Sequence, residues 1–128
     1  MFRKNKYGAR KTKCALGHNH PSALEASVCQ TLQLRQRAGD IKNIKYIATV
    51  HLAFGIRWKV DFSFEQRQKD DTWVMTWCEA KGFNTADFKI KLKMWREGAG
   101  PGPLELWKGN ARAPKLVEII IPKQIKES

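Results

Sequence analysis

The spacing of apolar residues changes several times along the chain, and each change predicts a different element. From Ser22 onward Leu24, Val28, Thr31 and Leu32 recur at helical spacing. Ser22-Ala23-Leu24-Glu25 has the form of a capping box, and Gly39 supplies a stop after Arg35 and Arg37, so a first helix is predicted over residues 22–38. From Ile41 to Phe64 the text turns β-branched and aromatic, with Gly55 as a break. Strict alternation in Trp58-Lys59-Val60-Asp61-Phe62-Ser63-Phe64 places Trp58, Val60, Phe62 and Phe64 on one face of a strand and Lys59, Asp61 and Ser63 on the other. A polar stretch, 65–71, separates this run from Thr72–Lys81, which ends at Gly82, and the two runs predict a hairpin.

Helical signals return at Asn84-Thr85, with Phe88, Leu92 and Trp95 on one face and Lys89, Lys91 and Lys93 among the rest, up to Gly98. Leu104–Trp107 and Leu116–Ile121 then predict two closing strands around a Gly109-Asn110 turn. The order helix, strands, helix, strands predicts an α/β fold of the α+β kind, a mixed sheet flanked by helices.

Length adds that all of this belongs to one domain. At 128 residues, 42% hydrophobic and with five Trp and six Phe, the chain can build one real core, expected over 14–128. Residues 1–13 stand apart, because Arg3, Lys4, Lys6, Arg10, Lys11 and Lys13 occur there with no acidic residue, which predicts a flexible basic arm.

Charge narrows the partner. A formal net charge of +12 and a pI near 9.9 point to a polyanion. Nucleic acid fits better than membrane, since no window approaches the apolar run of a spanning helix. The basic start is followed by no apolar core of a secretory signal, so an intracellular, cytoplasmic location is expected, which is the host cytoplasm for a phage-encoded chain. Cys14, Cys29 and Cys78 form an odd set, read as free thiols. Cys14, His18, His20 and Cys29 are zinc-type ligands in a short span, but the spacing is irregular and Cys29 falls inside the first helix. The reading is therefore loop histidines near DNA and no structural zinc.

The chemistry concentrates in the predicted hairpin. Glu79 and Lys81 lie two positions apart on one strand and point to the same face. If the hairpin turns about Asp70, the midpoint of 61 and 79, Asp61 lies opposite Glu79. Like charges so placed repel, and a hard divalent cation with oxygen ligands is the plainest compensation. In this reading Asp61 and Glu79 bind Mg²⁺, with Mn²⁺ able to substitute. The Ala80 carbonyl completes the coordination, and Lys81 orients or helps deprotonate a water that attacks a phosphodiester. An acidic residue followed two positions later by Lys is common on solvated sheets, but Asp61 sits among Val60, Phe62 and Phe64, and Glu79 follows Trp77 and Cys78.

With Asp61 ahead of Glu79-Ala80-Lys81, after a helix containing Glu25, the chain resembles the PD-(D/E)XK nuclease superfamily. The blocks Ser22-Ala23-Leu24-Glu25-Ala26, Arg37-Ala38-Gly39-Asp40-Ile41, Val60-Asp61-Phe62 and Lys81-Gly82-Phe83 are similar to small phage-type members, including Holliday junction resolvases, over residues 20–97. Val60 stands where the superfamily name has Pro. The resemblance implies an α-β-β-β-α-β core, a homodimer, and a carboxylate from Glu25 at the metal. The capping box explains the same glutamate as a helix start, and both readings stand open.

DNA would be held by the arm and by Lys89 and Lys93, one turn apart on the second helix. No base-reading motif occurs, so recognition by backbone and shape is expected, which suits a four-way junction. A nicking or end-processing nuclease would need the same residues, and a non-catalytic DNA-binding module would bind without cutting. An RNA-binding sheet would want exposed aromatics, which are expected here mainly in the core. Phe54, Ile56 and Trp73 are apolar positions that could face either the core or a second copy.

Overall fold

The computed structural model describes residues 12–13, 19–20, 22–82 and 84–124. Its elements, in chain order, are β1 (Thr12–Lys13), β2 (Asn19–His20), α1 (Ala23–Arg37), β3 (Ile41–His51), β4 (Arg57–Arg67), β5 (Trp73–Ala80), α2 (Ala86–Met94), a π-helical turn (Trp95–Ala99), β6 (Leu104–Asn110) and β7 (Ala113–Ile120). Of the expected arm, Arg3, Lys4, Lys6, Arg10 and Lys11 lie outside the described residues. Lys13 belongs to β1, which pairs antiparallel with β2.

Both long helices start where their caps dictate. Ser22 Oγ accepts from Glu25 N at 3.1 Å, and Thr85 Oγ1 accepts from Phe88 N at 3.1 Å. α1 ends in a Schellman arrangement, with Gly39 N donating to Gln36 O and Asp40 N to Arg35 O, and Gly39 taking the left-handed φ of 83° that this geometry requires.

Five strands form one mixed sheet in the order β3-β4-β5-β6-β7, antiparallel except for β5 and β6. The parallel pair needs a crossover, which α2 and the π turn supply. The β4–β5 ladder runs from Arg67↔Trp73 to Phe62↔Cys78. It is centred on residue 70, where Asp70 Oδ1 accepts from Thr72 N at 3.0 Å. The sheet is covered on both faces. Along β6, Trp107 belongs to the cluster with Leu24, Cys29 and Leu32 of α1, whereas Leu104 and Leu106 belong to the cluster with Phe88 and Leu92 of α2. The result is a single-domain α+β fold in three layers.

β4 departs from simple alternation. Trp58 and Val60 pack in the α2 layer, while Phe62 and Phe64 pack in the α1 layer, so the four do not share a face. The strand turns over at Asp61. The β3–β4 ladder omits the step opposite Asp61, where Ile47 would pair, and Ile47 takes a φ of 59°. The closing hairpin also differs: Gly109 and Asn110 remain in β6, and the turn falls at Ala111-Arg112. Gly109 has a φ of 99°, and a Cβ there would stand 2.5 Å from Ala113 O, so glycine serves strand approach rather than the turn.

Trp95 fills the α2 layer, fully buried, edge-on to Trp58 and Trp77 with ring centroids 5.8 Å apart in each pair, and donating from Nε1 to Gly102 O at 2.9 Å. The helix gives way to the wider turn at this residue, with Gly98 at a φ of 116°. Gly100 lies against the indole, where an added Cβ would stand 2.4 Å from Trp95 Nε1. Gly100→Ala is expected to destabilise the fold by about 1–3 kcal/mol in chemical denaturation. Gly82→Ala, where nothing lies within 4 Å, is the near-neutral comparison; equal stability of the two variants would refute this packing.

Candidate active site at the fork between two strands

Beyond Phe62↔Cys78 the β4–β5 ladder stops, and each strand has a backbone N–H left without a ladder carbonyl. Each is met by a carboxylate from the opposite strand. Asp61 Oδ2 accepts from Ala80 N at 2.8 Å, and Glu79 Oε1 accepts from Asp61 N at 3.1 Å. This reciprocal lock fixes both side chains at the fork, in the adjacency that a turn about Asp70 predicts.

Glu25 arrives from the first turn of α1. Its N–H is capped by Ser22, and its carboxyl hydrogen-bonds Asp61, so the residue serves the helix start and the fork together. Three carboxyl groups thus meet in a region where Glu79 retains 4% exposure. Lys81 is the cation that offsets Asp61 and Glu79. Its ammonium lies 5.3 Å from the centre of the Phe88 ring, and its backbone N–H donates to Trp107 O at 3.0 Å.

The electrostatics follow from burial and crowding. Loss of water pushes the Asp61 carboxyl up to about 8, with the Glu25 hydrogen bond and charge adding to the rise and the Ala80 N–H and Lys81 opposing it. Burial, then the Asp61 charge, holds Glu79 well above the usual carboxylate range. Glu25 is raised by burial and by the Glu79 charge. Burial and crowding thus favour the protonated form at each of the three carboxyls. Among the described residues no three His, Cys, Asp or Glu side chains form a finished metal cage. The carboxylates are instead turned onto amides and onto one another.

The fork opens into a cleft of about 990 Å³ lined by Glu25, Asp61, Glu79, Ala80 and Lys81. Arg57, Lys59 and Lys91 line the same cleft and add positive charge beyond the carboxylates. The sequence reading does not assign these three to the site. Lys59 was detectable, because alternation in the sequence predicts one face for it and Asp61, and Arg57 follows by the same pattern. On α2, Lys91 rather than Lys89 or Lys93 lines the cleft; the latter two are exposed on the helix surface. Lys91 is held by Asp87 at 3.0 Å.

Other candidates fall elsewhere. Cys29 and Cys78 are buried in the α1 layer, and Cys29, whose Sγ donates to Tyr46 Oη at 3.9 Å, is a core thiol. Cys14 and His18 lie outside the described residues, as do the side chains of His20 and of the arm's Lys13. Phe54 is 97% exposed and Ile56 partly so, while Trp73 is half-buried under Lys42, whose ammonium lies 4.1 Å from the ring centre. Glu105, buried beside α1, was missed altogether; it pairs with Arg35 at 2.9 Å and accepts from Trp107 Nε1 at 3.1 Å. Among the described residues no helix is long and apolar enough to cross a membrane.

No protein-family model matches the chain, and no curated protein or solved structure matches it either.

The raised Asp61 pKa has a definite sign in stability. An unfolded aspartate titrates near 3.8 and the folded one at about 8, so the folded chain keeps a proton that the unfolded chain has released. That contribution is complete below the unfolded value and is lost as pH rises through the folded one. Relative to Asp61→Asn, the metal-free wild type is expected to lose on the order of 1.4 kcal/mol per pH unit between about pH 5 and pH 7. Parallel stability profiles for the two proteins, measured by urea denaturation with EDTA present, would show that folded Asp61 does not retain its proton in this range.

Proposed function

We propose that this chain is a divalent-metal-dependent endonuclease acting on branched DNA, organised around the superfamily core that its motifs resemble. The observation that carries the reading is the convergence of Glu25, Asp61 and Glu79 beside Lys81 at the fork, inside a cleft that also presents Arg57, Lys59 and Lys91. Carboxylates gathered out of water need positive charge, and a ligand set made only of carboxylate oxygen suits Mg²⁺, with Mn²⁺ as a substitute. Asp61 and Glu79 would hold the cation, with Glu25 and the Ala80 carbonyl as further donors. Protonation, which burial favours at all three carboxyls, relieves their repulsion when no cation is bound.

When bound, the cation supplies Lewis-acid polarisation of a phosphoryl oxygen and a more acidic water. The chain's own residues do the rest. Lys81 orients the attacking water and balances charge next to the carboxylates, while Trp58 and Phe88 keep its surroundings apolar. Hydrolysis adds a water oxygen to phosphorus and breaks one bridging P–O bond, with the proton passing to the leaving oxygen. The basic lining and the +12 charge hold the backbone, and no element offers base readout. That supports substrates distinguished by shape. A two-fold dimer, which gives one cutting centre per opposing strand, completes the proposal.

The test incubates a labelled four-way junction and a linear duplex of matched sequence with the protein in Mg²⁺, Mn²⁺ or EDTA. Paired nicks in the junction are expected, abolished by EDTA and reduced at least about 100-fold by Glu79→Gln, which retains the oxygen that accepts from Asp61 N. Equal cutting of both DNAs would keep the nuclease and discard branch preference. Tight binding with no metal-dependent cutting would replace the proposal with a DNA-binding module.

A further inference from the structure

The tip of the β3–β4 hairpin carries strain that packing does not offset. Leu52 N donates to Ile56 O at 2.8 Å and Ile56 N to Ala53 O at 3.1 Å, which closes a tight turn on Phe54 and Gly55. Both central residues are left-handed, with φ of 59° and 73°. Such a turn favours Asn or Asp followed by Gly, whereas a bulky aromatic at positive φ is strained. Phe54 receives nothing from the core in return, since it is 97% exposed. Neither the turn nor the core accounts for phenylalanine here.

The start of β4, just past the tip, adds two cations that the fold itself does not use. Gly55 of the tip and Arg57 and Lys59 of β4 line the same cleft as Asp61. Among the described residues, Arg57 and Lys59 make no ion pair or side-chain hydrogen bond, unlike Lys91 with Asp87 or Arg96 with Glu118. Alternate residues of a strand stand about 6.6 Å apart, a step comparable to that between consecutive phosphates of one nucleic-acid strand. Arg57, Lys59 and the carboxylate fork thus form a graded row, from two unpaired cations to the group that would bind metal.

From this arrangement we infer that the β3–β4 hairpin is a reader of unpaired nucleotides. Arg57 and Lys59 grip consecutive phosphates leading to the fork, and Phe54 at the tip stacks on a base exposed where strands separate. Every base has a π-face, so stacking selects for unstacked or easily opened DNA without selecting sequence. The inference rests on the DNA reading of the cleft and specifies what that cleft prefers: branch points rather than continuous duplex.

The experiment measures binding of four-way junction and matched duplex in EDTA, where metal-dependent cutting is off, for wild type, Phe54→Asn and the single variants Arg57→Ala and Lys59→Ala. Phe54→Asn suits the turn, so its thermal stability should equal or exceed that of wild type. Its junction affinity should fall on the order of tenfold, with duplex affinity little changed. Each cation variant should lower the slope of log affinity against log salt by about 0.9 on duplex. Unchanged junction preference in Phe54→Asn, or unchanged salt slopes in the cation variants, would overturn the inference. If the wild type binds as described but never cuts with Mg²⁺, the nuclease proposal fails and the hairpin reading stands. A wild type that binds neither DNA defeats both.

Discussion

Where two paired strands part, backbone amides lose their carbonyl partners, and at this fork carboxylates of Asp61 and Glu79 replace them. The replacement satisfies two buried N–H groups and at the same time gathers negative charge where water is scarce. Much of the remaining architecture answers that charge. Lys81 follows Glu79 by two positions so that its ammonium returns to the same side. Glu25 approaches closely enough to hydrogen-bond Asp61, and Arg57, Lys59 and Lys91 line the same cleft. Because the carboxylates are held by backbone, their positions follow the fork and not the rotamers of exposed side chains.

α1 links this site to the rest of the molecule as a rod fixed at its far end. Arg35 lies over the Phe64 ring, pairs with Glu105 of β6 and bonds Gln66 of β4. Ten residues earlier, roughly 15 Å along the axis, the same helix presents Glu25 to the fork. This largely buried ion pair with matched hydrogen bonds serves placement more than stability, since well-packed apolar residues of similar size often stabilise as well.

The legible parts of this molecule were those set by local signals. Ser22 and Thr85 mark helix starts because capping is decided within four residues. The hairpin register was accessible because a turn about Asp70 fixes every later pair. What local pattern could not convey was where a strand turns over. Trp58, Val60, Phe62 and Phe64 alternate without a break, yet two layers divide them, because the twist that divides them comes from the strand and helices packed alongside. Glu105 was illegible for a similar reason, its partner Arg35 being 70 residues distant. At Gly109 the glycine signal was real, but its cause was close approach of β7 and not a turn. Of the site, Glu79 and Lys81 could be paired from alternation and Asp61 from the hairpin register, whereas the dual service of Glu25 needed the helix placed against the sheet.

The hairpin origin of the carboxylate pair also orders events in time. Asp61 and Glu79 are 18 residues apart in sequence, on strands joined by a short turn, so closing that loop costs little entropy and can occur early. Glu25 joins only when α1 docks, a longer-range step that brings a third acid onto two already confined. Docking of α1 therefore works against electrostatic repulsion that the hairpin alone does not feel. Protonation of these acids, which their burial favours, relieves that repulsion, so the protons that the folded site retains also ease the last stage of its assembly.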